Sequence, residues 1–341
     1  MKKIILIILT ISSVTAYSQS SKKDSLLREI DEHVKTVKNA ADQFLNKALS
    51  PAARIKAIQP YTLIYDENQA EQFKNVVLDD KELPEIRAMA LNKIYQFVPG
   101  DQRLGGLTNE WLGNPQAPKV LRQEALRLEE NLSVMSTDVP DVYQKMLGAP
   151  EPEFRLFAFT KLIVHGDARA QQKLIEGLEN PQSALLTAPD AIEILSMSPK
   201  KEYYPAVYKV LQQTKDEATR LEAISALGFY KEAREKLVNI SRDANEKEQF
   251  REAALEALYA GDRDNIVKYV SPILSDKTAT PQLQIMAIQM TINARQPMAY
   301  GVKAEQIDEY DLLIKRITED KTKDPELKKA ALEYMQSAGL K

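Results

Sequence analysis

The feature that most constrains this chain is a repeat. Arg251, Ala254 and Leu255 recur in register as Arg54/Ala57/Ile58, Arg87/Ala90/Leu91, Arg122/Ala125/Leu126, Arg155/Ala158/Phe159 and Arg220/Ala223/Ile224. Three further copies lack the arginine: Ala188/Ala191/Ile192, Gln284/Ala287/Ile288 and Lys328/Ala331/Leu332. Successive anchors lie 33, 35, 33, 33, 32, 31, 33 and 44 residues apart. A period in this range marks stacked supersecondary units, each too small to bury its apolar face alone. On length alone, 341 residues would suggest two or more ordinary domains. The period argues for one continuous array instead.

Proline sets the register independently. Pro51, Pro84, Pro152, Pro281 and Pro325 each stand three residues before their anchor, and Pro118 stands four before. Proline is tolerated in the first helical turn, whose N–H groups have no intrahelical partner. Glu85, Glu153 and Glu326 follow several of these prolines and suit the positive end of the helix dipole. Phe250, Ala254, Ala257 and Leu258 then fall on one helical face. Alanines mark where another helix comes close. A break follows at Gly100-Asp101, Gly166-Asp167 and Gly261-Asp262. Glycine suits such ends because it accepts the left-handed conformation. A second helix runs on to the next proline, ending near Asp or Asn. In the copy anchored at Arg251 it contains Pro272, which predicts a kink.

The pattern Pro-x-x-Arg-x-x-Ala-Leu, a short turn near Gly-Asp and a second helix resembles the HEAT repeat, in the short form also seen in phycobilisome-lyase-like proteins. The resemblance covers residues 50–341. It implies an all-α, right-handed α-solenoid (superhelix) of about nine stacked antiparallel helix pairs. It also implies that Arg54, Arg87, Arg122, Arg155, Arg220 and Arg251 form a structural ladder. Each would reach an acidic or carbonyl group at the adjacent unit's turn, with Asp80, Asn180, Asp243 and Asp276 as candidate partners. The long 44-residue interval places an insertion at residues 295–306, a loop or a distorted helix. Residues 19–49 carry a helical stripe of Leu26, Leu27, Ile30, Val34, Val37 and Ala41. They form an N-terminal capping helix or the second helix of a degenerate unit.

The first 18 residues read as a secretory signal. Lys2 and Lys3 precede an apolar run from Ile4 to Ile11, and small Ala16 and Ser18 mark the cut. The run is shorter than the roughly 20 residues a spanning helix needs. An uncleaved anchor is the alternative. With no cysteine, lipid anchoring, disulfides and thiolate metal sites are closed. These features point to export into a bacterial periplasm or the extracellular space, with no stable membrane insertion after signal cleavage. The 46 basic and 49 acidic residues intermingle, as in "KRITEDKTKDPELKK" (315–329), so no basic face for nucleic acid stands out.

No catalytic constellation is visible. His33 and His165 are the only histidines. Neither a zinc-type His pair, nor a phosphate-cradling glycine loop, nor a nucleophile elbow is present. "GDRDN" (261–265) lacks the rest of a calcium loop. The expectation is a non-enzyme without metal or cofactor. It would be a scaffold holding another protein or peptide along the face lined by second helices. The alternative is an accessory subunit of an envelope enzyme system handling a small molecule or glycan. Tyr203, Tyr204, Tyr208 and Tyr230 are the candidate partner-binding residues, since tyrosine buries area while keeping a polar handle. Packing between helices is the competing role for them.

Overall fold

A computed structural model describes residues 20–62, 64, 66–132, 141–295 and 307–340. The expected signal peptide and residues 296–306 of the expected insertion lie outside them. The described residues form 18 α-helices and no strand, in two compact units, Met1–Pro150 and Glu151–Lys341.

The first unit holds α1 (Ser20–Leu45), α2 (Pro51–Ile58), α3 (Glu67–Leu78), α4 (Pro84–Ile94), α5 (Gln102–Gly113), α6 (Lys119–Leu132) and the short α7 (Val142–Met146). The second begins with α8 (Pro152–Val164), α9 (Ala168–Glu179), α10 (Ala188–Ser196), α11 (Tyr204–Gln213) and α12 (Glu217–Ala226). It continues with α13 (Arg234–Arg242), α14 (Glu248–Gly261), α15 (Ile266–Ser275), α16 (Pro281–Arg295), α17 (Ile307–Glu319) and α18 (Pro325–Ser337). Five of the six marker prolines are the first residue of their helix, and Pro118 immediately precedes α6. Within each unit, each odd-numbered helix packs on the even-numbered helix that follows it, even-numbered helices pack on the next even-numbered one, and most odd-numbered ones on the next odd. The main helix contacts all join elements at most two apart in sequence.

The repeated alanine explains the even-numbered layer. Ala90, Ala125, Ala158, Ala191, Ala223, Ala254, Ala287 and Ala331 are all buried, as are the apolar residues that follow all but the last. A larger side chain at these positions would hold neighbouring helices apart. Leu332, the residue after Ala331, is about half exposed because no further helix covers α18 among the described residues.

The turns between helix pairs share a device. Asn46, Asp79, Asn114, Asp243, Asp276 and Asp320 each accept, through Oδ1, the backbone N–H two residues on, at 2.8–3.1 Å. An Asx turn of this kind reverses the chain without needing glycine. Within pairs, Asp101 caps α5 and Asp167 caps α9 through backbone N–H groups. Asp262 instead accepts from Asn265 Nδ2 at 2.8 Å and from the Tyr269 hydroxyl, and pairs with Arg234 at 3.3 Å.

One sequence expectation changes here. Gly100 and Gly166 have positive φ, of 98° and 76°, but Gly261 does not. Gly261 is required by close approach: a Cβ there would lie 1.7 Å from the Gly228 carbonyl oxygen. At Gly228, a Cβ would lie 2.4 Å from the Ala257 carbonyl oxygen. The ends of consecutive even-numbered helices thus touch backbone to backbone, which only glycine permits. Pro272 lies inside α15, where it removes the bond to the Lys268 carbonyl. Arg242 of α13 donates Nη2 to that carbonyl at 2.9 Å and satisfies it.

α1 occupies a second-helix position, packing on α2 and α3. Only the C-terminal part of its stripe is covered. Val37, Ala40, Ala41 and Phe44 are buried, whereas Leu27 and Val34 are exposed.

Candidate functional site

The arginine ladder has a regular geometry. Arg54, Arg87 and Arg251 each donate Nε to the carbonyl ten residues earlier, on Phe44, Val77 and Ser241, at 2.6, 2.9 and 3.2 Å. Those carbonyls belong to the last turn of the preceding odd-numbered helix, where helical acceptors have no intrahelical partner. Gln284 reproduces the contact with its amide, donating to the carbonyls of Ile273, Leu274 and Asp276. The far end of the guanidinium reaches onward. Arg54 forks onto Glu82, Arg220 onto Glu246, and Arg251 donates Nη2 to Asp276 at 3.1 Å. One side chain therefore joins the helix before its own to the turn after its own.

The partners differ in part from those the sequence suggests. Asp276 does pair with Arg251. Asp243 and Asp80 are not the residues that pair with the ladder. Asp243 spends Oδ1 on closing its turn, and the acid three residues on, Glu246, meets Arg220. In the same way Asp79 closes its turn and Glu82 meets Arg54. Asp276 serves both purposes with separate oxygens. Arg155 donates Nε to the Leu185 carbonyl at 2.7 Å, where Asn180 was expected. Arg87 forms no ion pair among the described residues, since Asn114 occupies the turn, and Asp80 attracts it only at longer range. Its guanidinium lies 5.1 Å from the Trp111 ring centroid, and burial pulls its pKa below the arginine norm. The fork from Arg54 holds the Glu82 carboxyl below its usual range.

The tyrosines are not a free surface. Tyr203 and Tyr204 are 1% and 7% exposed, so both belong to the core, and Tyr208 and Tyr230 are half-buried. Their rings pack in sequence, Tyr203 on Tyr204, Tyr204 on Tyr230 and Tyr230 on Tyr208, with centroids 4.6, 5.2 and 5.9 Å apart. Burial pushes the Tyr203 hydroxyl well above the usual tyrosine pKa. The sequence missed what stands beside them. Val164, Met197 and Phe229 each lie nine residues after their anchor, and are 50%, 46% and 66% exposed. They sit at or just beyond the ends of α8, α10 and α12, where the turns within helix pairs begin. A Cβ on Gly166 would touch Pro199 at 3.6 Å, so the first two of these turns are neighbours. The Tyr204–Tyr230 contact links the second to the third.

No protein family, curated protein or solved structure matches this chain. Its site must be built from its own geometry.

The ladder breaks at α10. The anchor there is Ala188, and Pro189 follows it instead of preceding it by three or four positions. Proline cannot lie deep in a helix without losing a bond, so α10 begins at the anchor, one turn later than its neighbours. Its N-cap is Thr187, which accepts from Asp190 N and donates to Asp190 Oδ2 at 2.6 Å. Chain 180–187 runs across the space that the lost turn and the missing arginine leave. A cavity of about 230 Å³ remains. Leu174, Gly177 and Leu178 of α9, Ala184 to Leu186, and Ala188 and Ala191 line it, with Lys173 at the rim. Leu178 is ten residues before Ala188, the position whose carbonyl a ladder arginine would bind. Arg155 holds the covering segment through Leu185.

Neither histidine lines this cavity. His165 is the C-cap of α8, with Nδ1 2.8 Å from the Lys161 carbonyl, and His33 lies beside Tyr61. Among the described residues, no group of three His, Asp or Glu side chains is placed to hold a metal ion. No described helix is long and apolar enough to cross a membrane.

Proposed function

We propose that the chain is a HEAT-like α-solenoid, exported by a bacterium, that serves as a non-enzymatic scaffold for another protein or peptide. The observation that carries the reading is the row Val164, Met197 and Phe229. Three large apolar side chains stand exposed at one register position in consecutive helix pairs. Isolated exposed apolar residues are ordinary, whereas aligned ones mark interaction surfaces. The docking edge is thus formed by the turns within pairs, rather than by the faces of the second helices. Main packing contacts between elements at most two apart in sequence support the solenoid part of the reading, since they let a chain repeat one surface along its length.

The test is affinity capture from bacterial envelope extract with the wild type and with Phe229→Ser and Met197→Ser. A stoichiometric partner retained by wild type and lost by both variants, at unchanged circular dichroism, supports the scaffold. A partner captured equally by all three places docking elsewhere. The cavity beside α10 favours the second reading, a subunit that carries a small molecule.

A further inference from the structure

We infer that the cavity at the break in the arginine ladder is a ligand site for a short apolar group that carries a carboxylate. At four other anchors the same place is filled from within, by Arg54, Arg87, Arg251 or the amide of Gln284. Here Ala188 supplies nothing, and Pro189 removes the helical turn that would otherwise close the gap. The lining is aliphatic: Leu174, Leu178, Leu185, Leu186 and Ala191. Its volume of about 230 Å³ exceeds the roughly 150 Å³ of an engineered apolar cavity that stays dry and binds benzene. A branched aliphatic group the size of a leucine side chain fits.

The polar requirement comes from the rim. Lys173, one turn before Gly177, is the one charged residue among those lining the cavity; it is exposed and forms no ion pair among the described residues, so it can supply the cation for an anion seated at the mouth. The Thr187 hydroxyl is already committed to Asp190 and does not compete. Leu185, fixed by Arg155, keeps the covering segment in place. This chemistry is shared by a free branched short-chain acid and by the C-terminal leucine of a peptide. It stands whether or not the chain is a scaffold.

Isothermal titration calorimetry on the full chain tests it with 4-methylpentanoate, its amide, and the peptide Gly-Gly-Gly-Leu with a free or an amidated carboxyl terminus. The expected result is saturable binding of the acids, with each amide and the Lys173→Met variant weaker by about fivefold, the scale of a partly exposed ion pair. Ala188→Arg should abolish binding by restoring the ladder residue. Should that variant misfold, the smaller, uncharged Ala188→Leu fills the cavity from the same position and should also abolish it. Tighter binding of the free acid identifies a metabolite site, and tighter binding of the peptide identifies a chain terminus. Absence of saturable heat from either acid overturns the inference. So do equal affinities for acid and amide that Lys173→Met leaves unchanged.

Discussion

Arg54 Nη1 and Nη2 lie 3.1 and 2.9 Å from the two carboxylate oxygens of Glu82, a fork with both side chains almost wholly buried. The same guanidinium holds the Phe44 carbonyl. Three consecutive segments are therefore tied by one side chain, which explains why arginine recurs here. Lysine has the charge without the planar fork.

Removing Arg54 should destabilise the first unit strongly. It leaves a buried carboxylate unpaired and a helix-terminal carbonyl without its donor. Arg54→Ala is expected to cost about 3–5 kcal/mol in urea unfolding, the usual price of breaking a buried pair. Arg54→Ala with Glu82→Ala should cost clearly less than the sum of the two single substitutions.

Arg87 offers the converse experiment. Its far end has Trp111 but no carboxylate, because Asn114 holds the turn. Asn114→Asp keeps the Asx turn to Gln116 and presents a second oxygen as Asp276 does to Arg251. A stabilisation of about 1 kcal/mol is expected in the same assay.

Glycine substitutions should separate by mechanism. Gly261→Ala drives a Cβ into the Gly228 carbonyl and should cost more than about 4 kcal/mol, since backbone must shift. Gly100→Ala meets open space but a positive φ, and should cost about 1 kcal/mol. Gly105→Ala, inside α5 with open space around it, should stabilise by about 0.5–1 kcal/mol. Thermal melts of the three variants check the order.

Stability should fall on acidification. The Lys81 backbone N–H holds the Asp79 carboxyl below its ordinary value, Arg54 does so for Glu82, the Thr278 hydroxyl for Asp276 and the Thr322 hydroxyl for Asp320. A depressed carboxylate contributes stability that is present above the unfolded value and lost as pH drops through the folded one. The melting temperature should therefore decline below the ordinary carboxylate range, about pH 4. Burial first, and neighbouring Glu193 second, raise Glu222; burial, then Glu248 and Glu256, raise Glu252. Their ionisation opposes folding. Glu222→Gln and Glu252→Gln should each raise the melting temperature at pH 7 and leave it unchanged well below pH 4.

Much of the helix pattern was legible because the residues concerned act locally. Pro51, Pro84, Pro152, Pro281 and Pro325 start helices for reasons contained in their own ring, and buried Ala254 follows from period alone. The ladder's onward partners were less legible. Glu82, Glu246 and Asp276 lie 28, 26 and 25 residues after their arginines, because the nearest acid is sometimes used to close the turn. Gly261 looked like Gly166, yet one is set by φ and the other by a contact 33 residues away in sequence, which no local pattern carries. For Tyr203 and Tyr204 the sequence left partner binding and packing between helices both open, because composition does not report burial. The missing arginine at Ala188 was visible, but the cavity required knowing that Pro189 also removes a turn.

The central claim is that stability passes only between sequence neighbours through the ladder. Native-state hydrogen exchange on Arg251→Ala tests it most directly. The predicted result is lost protection in α13 to α16, with α8, α9 and the first unit at wild-type rates. A uniform loss of protection throughout the second unit, α8 and α9 included, would contradict it.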